Sequence, residues 1–551
     1  MSKTKLIIIG GVAGGATAAA RARRLDEGAE IILLERGEYI SFANCGLPYY
    51  VGEVIKKRKD LLVTTPEAFR SRYGVDIRTF SEVTAIDRGK NQVLVRNLKT
   101  QETYPETYDK LILAPGAEPL RPPLEGINLD GIFNLRNIPD SDRIKKKVDG
   151  QHPESAVIVG GGFIGLEMVE NLVHRGVRTT IVEMADQVML PLDREMARMV
   201  QLHLESKGVI CKLGKGVKGF RKEGGRLVVS VQNDEDIPCD LVILSIGIRP
   251  ENRLAKEAGL EIGKTGGIKV NASMQTSDPD IYAVGDVVEV REFSTGFELI
   301  SALAGPANKQ GRIAADNALG RKAVFRGTMR TSIVKVFDLS VASAGLSEKT
   351  LIGYGLPYQV SYTYSGSHAS YYPGAETITI KLIFTPGNGK VLGAQIIGKE
   401  GVDKRIDVLA TAVHGGMTVF DLEELELAYA PPYSSAKDPL NIAGFVAANL
   451  IRGDVENIYT QDLINLDLKQ NIFLDLRTAM EVKLLGTIPG AVPIYIDDLR
   501  ARLPELDRNK NYIVFCAVGQ RAYLGYRILK QNGFRVKNLS GGFETYKLFQ
   551  G

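Results

Sequence analysis

Short apolar runs alternate along the first part of the chain with helix-forming stretches, in the order strand, helix, strand. The pattern predicts a strand at Leu6–Ile9, a helix to about Leu25 and a second strand at Ile31–Leu34. The same order returns with apolar runs at Val157–Val159 and Thr179–Val182. Strands that alternate with helices form parallel sheets covered by helices on both faces. The first half of the chain is therefore predicted to be α/β.

A glycine-rich turn separates strand from helix in both copies. In such turns the first glycine makes the tight bend, the second lets the backbone approach a pyrophosphate, and the third lets the helix pack on the strand. The second copy fits G-x-G-x-x-G throughout, whereas the first has Val12 at the middle position. The predicted dinucleotide-binding residues are Gly10, Ala13, Gly14, Gly15 and Glu35 in the first copy, and Gly160, Gly162, Gly165 and Glu183 in the second. Glu183 favours NADH over NADPH, because a carboxylate repels a 2′-phosphate.

The pattern changes after about residue 328. Strands are predicted at Ser332–Phe337, Ile378–Phe384 and Val391–Ile397, with a helix at Val402–Gly415, which is typical of an α+β domain. Such domains often carry dimer contacts. A hydrophilic stretch at Gly453–Thr460 indicates a linker, and a compact α/β unit follows it.

Composition and charge narrow the function classes. A chain of 551 residues is too long for one core and predicts three or four domains. The net charge of +4 and the absence of a dense Lys/Arg block exclude a nucleic-acid surface. The sequence has no apolar run long enough for a membrane span and no signal-peptide pattern before Leu6. Its four widely spaced cysteines predict a reduced, cytoplasmic protein.

Cys45 is the candidate reactive residue of the first half, in the segment Ser41-Phe42-Ala43-Asn44-Cys45-Gly46-Leu47-Pro48-Tyr49-Tyr50. The other cysteines are Cys211, Cys239 and Cys516, so Cys45 has no C-x-x-C or C-x4-C partner and needs an external sulfur. The residues that follow predict a helix start, whose dipole would lower the thiol pKa and favour the nucleophilic thiolate. Cys211 and Cys239 fit the alternative of buried apolar residues.

Residues 4–450 resemble the pyridine nucleotide:disulfide oxidoreductases. The two glycine turns, the strand-turn Leu111–Ala117 and the segment Thr276–Asp286 carry the resemblance, in the family's order. It implies two nested Rossmann-like domains, with FAD at the first turn and NAD(P)H at the second. It also implies that Ala114, Gly116 and Asp286 contact FAD, with Asp286 at the ribityl chain.

Within this family, the Cys45 segment looks most like that of coenzyme A-disulfide reductases, as do Tyr371–Gly374 and Ala428–Lys437. The resemblance implies a homodimer with a shared active site, in which Cys45 alternates between a thiol and a mixed disulfide with coenzyme A. Tyr371 and Tyr429 would donate hydrogen bonds from their hydroxyls to the substrate sulfur, and Lys437 would contact an anion. Tyr372 and Tyr433 are the alternatives for the two tyrosine roles. The residues implied at the coenzyme A site are Thr17, Arg21, Arg24, Ser41, Asn44 and Asn308.

NADH oxidases and peroxidases are the main alternative, because they also use a lone cysteine, which they cycle through a sulfenic acid. They typically place a histidine in the first glycine turn. This chain has Ala13 and Gly14 there, and no histidine before His152. That difference argues against peroxide as the main substrate.

Residues from about 463 onward resemble a rhodanese domain, through Phe473–Arg477, Gly486–Ala491 and Ile513–Ala522. A strand, a tight loop and a helix in the last segment point backbone N–H groups inward and cradle an anion. The resemblance implies that Cys516 carries a persulfide sulfur, that Arg521 closes the loop and binds an anionic donor, and that Asp475 orders the loop. The alternative is a degenerate rhodanese fold used for partner contacts. The presence of Cys516, Gly519 and Arg521 favours catalytic use.

These features together predict an FAD-dependent, NADH-consuming reductase of coenzyme A persulfide, polysulfide or coenzyme A disulfide, and no metal. Cys516 would supply sulfane sulfur. A sulfurtransferase whose flavoprotein half senses redox state is the alternative from another class. The predicted domains are FAD-binding (1–120 and 250–327), NAD(P)H-binding (121–249), dimerisation (328–452), linker (453–462) and rhodanese (463–551).

Overall fold

A computed structural model describes residues 3–550 of the chain. The chain divides into two compact units, one of residues 3–186 and 208–330, the other of residues 187–207 and 331–550. Within the described residues, every helix is too short or too polar to cross a membrane.

The first unit holds the two glycine turns. Its elements up to residue 120 are β1 (Lys5–Ile9), α1 (Ala13–Leu25), β2 (Glu30–Leu34), α2 (Leu47–Val51), α3 (Pro66–Tyr73), β3 (Asp76–Arg78), β4 (Ser81–Asp87), β5 (Gln92–Asn97), β6 (Thr103–Thr107), β7 (Lys110–Leu113) and β8 (Ala117–Pro119). The chain continues through β9 (Ile132–Asn134), α4 (Ile138–Gln151), β10 (Ser155–Val159), α5 (Phe163–His174), β11 (Arg178–Val182), α6 (Arg194–Ser206, in the second unit), β12 (Ile210–Lys212), β13 (Val217–Glu223), β14 (Arg226–Val231), β15 (Ile237–Cys239), β16 (Leu241–Leu244), β17 (Ile248–Pro250), α7 (Arg253–Glu257), β18 (Ile268–Lys269), β19 (Ile281–Ala283), β20 (Val288–Arg291), β21 (Glu298–Ile300) and α8 (Ala304–Ala318).

Two parallel five-stranded sheets organise this unit, in the orders β19-β7-β1-β2-β3 and β12-β11-β10-β16-β9. In the first sheet Ile7 pairs with Ile32 on one side and Leu111 on the other, and it is fully buried. The strands are apolar on both faces because helices cover both faces. β1 and β10 are central, so each glycine turn lies at the carboxyl edge where such folds bind nucleotides. The prediction of two Rossmann-like domains is confirmed.

Antiparallel sheets interrupt both parallel sheets along the sequence. β4, β5 and β6 form one three-stranded sheet before the chain returns to β7, and β13, β14 and β15 form another before β16. β8 and β17 pair antiparallel, with Ile248 opposite Pro119. A further small sheet contains β18, β20 and β21.

The second unit contains two sheets of different kinds. Its elements are β22 (Ser332–Val336), β23 (Leu339–Gly345), α9 (Glu348–Gly353), β24 (Gln359–Gly366), β25 (Thr377–Phe384), β26 (Val391–Gly398), α10 (Val402–Gly415), α11 (Val419–Glu424), α12 (Pro439–Ile451), β27 (Asn457–Ile458), β28 (Asn471–Asp475), α13 (Ala479–Leu485), β29 (Val492–Pro493), α14 (Leu499–Arg502), β30 (Asn511–Phe515), α15 (Gln520–Gln531), β31 (Arg535–Leu539) and α16 (Gly542–Phe549). The sheet β22-β23-β26-β25-β24 is antiparallel, and β27-β31-β30-β28-β29 is parallel. They confirm the predicted α+β and C-terminal α/β folds. The predicted linker at 453–462 contains β27, which pairs with β31.

A buried ion cluster places α6 in the second unit. The ammonium of Lys381, on β25, is fully buried and lies 3.0 Å from Asp193, 2.5 Å from Glu195 and 2.5 Å from Glu348. Tyr362 donates a hydrogen bond of 2.9 Å to Glu195. Breaking such a cluster leaves uncompensated buried charge, so these contacts fasten the start of α6 to the antiparallel sheet.

Candidate active site

The first glycine turn is held by close backbone packing. Gly10 has φ +97°, and a Cβ there would lie 2.1 Å from the carbonyl oxygen of Ala114. A Cβ on Gly15 would lie 1.8 Å from the Gly10 oxygen. Glu35 accepts the Gly11 N–H at 2.8 Å, so this carboxylate fixes the turn. α1 starts at Ala13 with no side-chain cap and no acid in its first turn, which leaves N–H donors for a pyrophosphate.

The second turn repeats these contacts. Gly160 has φ +106° and packs against the Ser245 carbonyl, and Gly165 packs against the Gly160 oxygen. Glu183 accepts the Gly161 N–H at 2.7 Å, as Glu35 does in the first copy. A Cβ on Gly162 would meet nothing within 4 Å, so the middle position faces open space, and α5 also begins without a side-chain cap. Both turns therefore fit a bound dinucleotide.

The remaining predicted FAD residues converge at the carboxyl edge of the first sheet. Ala114 packs on Gly10, and Gly14 packs on Val284, just before Asp286. Gly116 has φ +77° with open space around it. Burial raises the pKa of Asp286 to about 6, and the guanidinium of Arg136 acts in the opposite direction. This edge presents the donors and the carboxyl group that the family resemblance assigns to FAD.

Cys45 lies at the start of helical structure, as predicted. The 3-10 turn Asn44–Gly46 leads directly into α2. The residue is exposed. Protein atoms on its other sides remove water and raise the pKa of the thiol, and the carboxylates of Glu167 and Asp286 raise it further. The expected lowering of this pKa is therefore not produced by the chain's own side chains, because the ionisable groups that act on the thiol are acids.

Glu167 was not anticipated from the sequence. It lies on α5, and the Tyr49 hydroxyl donates a long hydrogen bond of 3.5 Å to its carboxylate. Burial raises the pKa of Glu167 to about 7. The available signal was an acid in the first turn and a half of a mostly apolar helix, two residues after the third glycine of the turn.

The residues implied at the coenzyme A site lie in the first unit, on α1, on α8 and in the segment that leads to Cys45. Thr17, Arg21 and Arg24 follow one another at helical spacing on α1, and Thr17 donates to Asn308 on α8 at 2.7 Å. Arg21 pairs with Asp316 at 2.6 Å, whereas Arg24 is exposed. Asn44 donates to the Arg136 carbonyl at 3.4 Å, and Ser41 is half-buried with φ 45°. Of these two arginines, Arg24 is the more exposed.

Two of the predicted tyrosines meet in the second unit. The hydroxyls of Tyr371 and Tyr429 lie 2.7 Å apart, and the side chains are 74% and 47% exposed. The hydrogen bond raises the pKa of Tyr371. Tyr372 packs instead against His368, with ring centroids 5.6 Å apart, and Tyr433 and Lys437 are exposed. The structure therefore brings together the pair favoured by the resemblance.

A buried arginine braces the loop that carries Tyr371. Arg405 donates to the Ser367 carbonyl at 2.9 Å and to both oxygens of Asp438, at 3.1 and 2.9 Å. Ser434 also donates to Asp438, at 2.5 Å. The segments on either side of the tyrosine pair are thus tied to one buried ion pair.

Cys516 directly follows β30 and begins the loop before α15. Cys516 is 1% exposed, and the Gly519 N–H donates a hydrogen bond of 3.1 Å to its sulfur. Gly519 has φ +117°, a conformation that side-chain-bearing residues rarely adopt. The Cys516 carbonyl accepts the Phe543 N–H at 2.8 Å, which ties the loop to α16. The Gly519 N–H is one donor of the cradle predicted for a sulfur anion at Cys516.

Arg521 and Asp475 are both occupied by protein partners. Arg521 binds Glu481 through two contacts of 2.6 and 2.7 Å, and the interaction lowers the pKa of Glu481 to about 2. Asp475 is fully buried and pairs with Arg477 at 2.6 Å, while Thr487 donates to it at 2.7 Å. Asp475 thus orders the neighbouring loop, and Glu481 is a second residue that the sequence interpretation missed.

Comparison with known proteins agrees with this arrangement. Residues 4–311 match the pyridine nucleotide-disulphide oxidoreductase family, and residues 331–439 match its dimerisation domain. The chain belongs to this oxidoreductase family. Residues 460–548 match a rhodanese-like domain. The resemblances found in the sequence are confirmed. Membership implies FAD and NAD(P)H as cofactors, and the dimerisation domain indicates a homodimer.

Three relatives of this oxidoreductase are close in sequence or structure. Coenzyme A disulfide reductase of Staphylococcus haemolyticus (strain JCSC1435) is 36% identical over 447 residues, which are 81% of this chain and 100% of the relative. The crystal structure of reduced Bacillus anthracis CoADR-RHD has 48% identity and a TM-score of 0.97, and the alignment covers 100% of this chain and 98% of that one. An NAD-dependent persulfide reductase from A. fulgidus has 39% identity and a TM-score of 0.92, with 98% and 100% covered.

Proposed function

We propose that this oxidoreductase uses NADH and FAD to reduce coenzyme A persulfide, polysulfide or coenzyme A disulfide through Cys45, with sulfane sulfur carried on Cys516. The observation that carries the proposal is one exposed thiol beside a dinucleotide-binding edge, in a chain that also holds a thiol in an N–H cradle. The described residues include all four cysteines, and none of them forms a disulfide. A lone thiol of this kind must take its sulfur partner from the substrate.

The reaction begins at Cys45. Its thiolate attacks the sulfur–sulfur bond of the substrate, a new bond forms between Cys45 and one sulfur, and the other sulfur leaves as a thiolate or hydrosulfide with the bonding electron pair. Two electrons from the nicotinamide nucleotide then break the Cys45 disulfide and restore the thiolate. The first glycine turn and Asp286 would hold FAD, which when bound would supply two-electron transfer between nicotinamide and sulfur.

Two tyrosines and the α1 surface would position the substrate. Tyr371 and Tyr429, already hydrogen-bonded to each other, would donate to the leaving sulfur across a homodimer, as the family resemblance implies. Arg24 on α1 is exposed and suited to a phosphate of coenzyme A, whereas Arg21 already has Asp316 as its partner.

Glu183 supports a preference for NADH. Its two carboxylate oxygens accept the Gly161 and Ala185 N–H groups at 2.7 and 2.9 Å, so the carboxylate is fixed at the end of β11. There it would accept a hydrogen bond from a ribose 2′-hydroxyl and repel a 2′-phosphate. Because the mechanism needs free thiols, we expect the protein to work in a reducing compartment, the cytoplasm.

Steady-state NADH oxidation with coenzyme A persulfide tests this function. Cys45→Ser should reduce turnover to the oxygen background for every sulfur donor. Cys516→Ser should slow turnover with polysulfide or elemental sulfur much more than turnover with coenzyme A persulfide. Wild-type activity no higher than the oxygen background would contradict the proposal. Such a result would favour a sulfurtransferase with a redox-sensing flavoprotein half, while formation of a Cys45 sulfenate under oxygen or peroxide would favour an NADH oxidase or peroxidase.

A further inference from the structure

One face of α5 holds the short helix that follows Cys45. Glu167 and Asn171 on α5, and Arg175 just after its end, are spaced one helical turn apart and contact successive parts of α2 and the residue that follows it. The contacts are Tyr49 Oη to Glu167 Oε1 at 3.5 Å, Gly52 packed against the Asn171 side chain, and Arg175 Nη1 to the Val51 carbonyl at 3.1 Å. The helix after the second glycine turn thus positions the Cys45 segment. Of the three contact residues, Glu167 is the one whose partner, Tyr49, lies nearest to Cys45 in the sequence.

The ionisable groups around Glu167 are acids and phenols. Tyr49 on α2 and Glu170 on α5 act on Glu167, while Glu167 and Asp286 both act on Cys45. Arg175, the cation among the three contact residues, forms an ion pair with Asp149 at 2.8 Å. Burial, followed by Glu170, raises the pKa of Glu167, and the Tyr49 hydrogen bond lowers it, with a result of about 7. A carboxyl group that is half protonated at neutral pH therefore lies within electrostatic reach of the redox thiol.

We propose that Glu167 is a positioning residue that holds a proton for Cys45: it is protonated while Cys45 is a thiolate and ionised while the Cys45 sulfur is in a disulfide. The physical reason is that two neighbouring anions in a partly desolvated site repel each other, and protonating the carboxylate removes one of them. This inference rests on the proposed role of Cys45 as the redox thiol.

The charges and atoms balance at both stages. Two electrons from the nicotinamide nucleotide convert Cys45–S–S–R into Cys45–S⁻ and R–S⁻, and Glu167–COO⁻ takes one proton from solvent. When Cys45–S⁻ attacks the next R–S–S–R′, the Cys45–S bond forms, the S–S bond breaks and R′–S⁻ leaves. Glu167–COOH then releases its proton, which protonates the leaving thiolate directly or through solvent.

The pH dependence of Cys45 alkylation in the reduced, FAD-loaded dimer tests the proposal without turnover. Alkylation by iodoacetamide follows the thiolate fraction and can be measured on the Cys45 peptide by mass spectrometry. Glu167→Gln should lower the pKa that the thiol shows beside an ionised Glu167 by about one unit. The alkylation rate should therefore rise about twofold at pH 7, where Glu167 is half protonated, and about fivefold at pH 8, where Glu167 is mostly ionised. Tyr49→Phe removes a hydrogen bond that lowers the pKa of Glu167. In this variant, the pH at which ionisation of Glu167 begins to slow alkylation should therefore be higher.

Glu53→Gln is the matched control, because it removes the same charge from an exposed residue just after α2. Its profile should match the wild type within twofold. Infrared difference spectra between disulfide and thiolate forms should show a protonated-carboxyl band in the wild type and not in Glu167→Gln. Unchanged alkylation profiles in both Glu167→Gln and Tyr49→Phe, at wild-type FAD content, would overturn the inference. Failure of the proposed function is distinguishable, since Cys45→Ser would then retain sulfur-dependent turnover.

Discussion

Cys45 and Cys516 both precede a helix, yet their surroundings differ. Cys45 is exposed, and the charged groups that act on it are the carboxylates of Glu167 and Asp286. Cys516 is buried, its sulfur accepts a backbone N–H from Gly519, and Arg521 lies close enough to be affected by it. The first setting suits a thiol that must meet a bulky substrate and change charge during each cycle. The second suits a sulfur anion held inside a cradle.

The comparison shows that helix position alone does not determine the chemistry of a cysteine. In both sites the decisive neighbours come from distant sequence. Glu167 follows Cys45 by more than a hundred residues and lies on the helix of the second glycine turn, while Glu481 reaches the Cys516 loop from α13. Predictions that change these neighbours therefore test the difference most directly.

The largest expected effect concerns the unit that contains Cys516. Lys381→Met leaves three buried carboxylates without their cation and should cost the second unit about 3–5 kcal/mol of unfolding free energy. Denaturant unfolding followed by limited proteolysis should show this loss, and Lys399→Met, an exposed lysine, is the control. Equal stability of the two variants would show that the cluster does not hold this unit together.

The next prediction concerns the stability cost of Glu167. Its folded pKa of about 7 lies above the ordinary value of 4.5, so ionisation opposes folding. The cost is absent below pH about 4.5, grows as the pH rises to about 7 and is constant above that. Glu167→Gln should therefore stabilise the first unit at pH 8 relative to pH 4, by about 3 kcal/mol at most. Thermal unfolding at the two pH values measures this, and an identical effect at both would contradict it.

The third prediction concerns a substitution that disturbs the backbone N–H contact at Cys516 and leaves Cys45 unchanged. An alanine at Gly519 must adopt φ +117° or shift the loop, which costs about 1–3 kcal/mol. Gly519→Ala should lower sulfane transfer from Cys516 to cyanide about tenfold. NADH oxidation with coenzyme A persulfide should change less than twofold. A parallel loss of both activities would show that the two thiols are not separable in this way.

The smallest expected effect concerns Arg521. Glu481→Gln removes the carboxylate that pairs with Arg521 and should increase the transfer rate from an anionic donor such as thiosulfate several-fold. Stability at pH 7 should fall by less than about 1 kcal/mol, because the pair is partly exposed. Since the pKa of Glu481 is lowered to about 2, this contribution is present above pH about 4.5 and is lost as the pH falls towards 2. No gain with thiosulfate would indicate that Arg521 does not bind the donor.

The sequence predicted the elements whose signals are local. β1, α1 and β2 lie where apolar runs and the glycine turn put them, and α10 has the predicted bounds, Val402–Gly415. Glycine positions were informative because only glycine fits the backbone contacts at Gly10 and Gly160.

Contacts between distant segments could not be read in the same way. Glu167 resembles a helix-surface acid until α2 is placed beside α5. That placement adds the Glu167 carboxylate to the burial that raises the Cys45 pKa. The pairing of Arg521 with Glu481 is equally non-local. α6 follows β11 in sequence, but the position of its start depends on a lysine nearly two hundred residues later.

Residues 187–207 interrupt the first unit and belong to the second. This has a practical consequence for dividing the enzyme into fragments. A shortened chain that ends at residue 330 would retain Asp193 and Glu195 but lose Lys381, their cation. A short loop cannot replace residues 187–207 either. β11 and β12 are parallel neighbours, so the chain that joins them must run back along the length of the sheet. A cut at residue 330 therefore does not yield an intact flavoprotein fragment. A fragment that keeps the first unit intact must also keep the antiparallel sheet that carries Lys381.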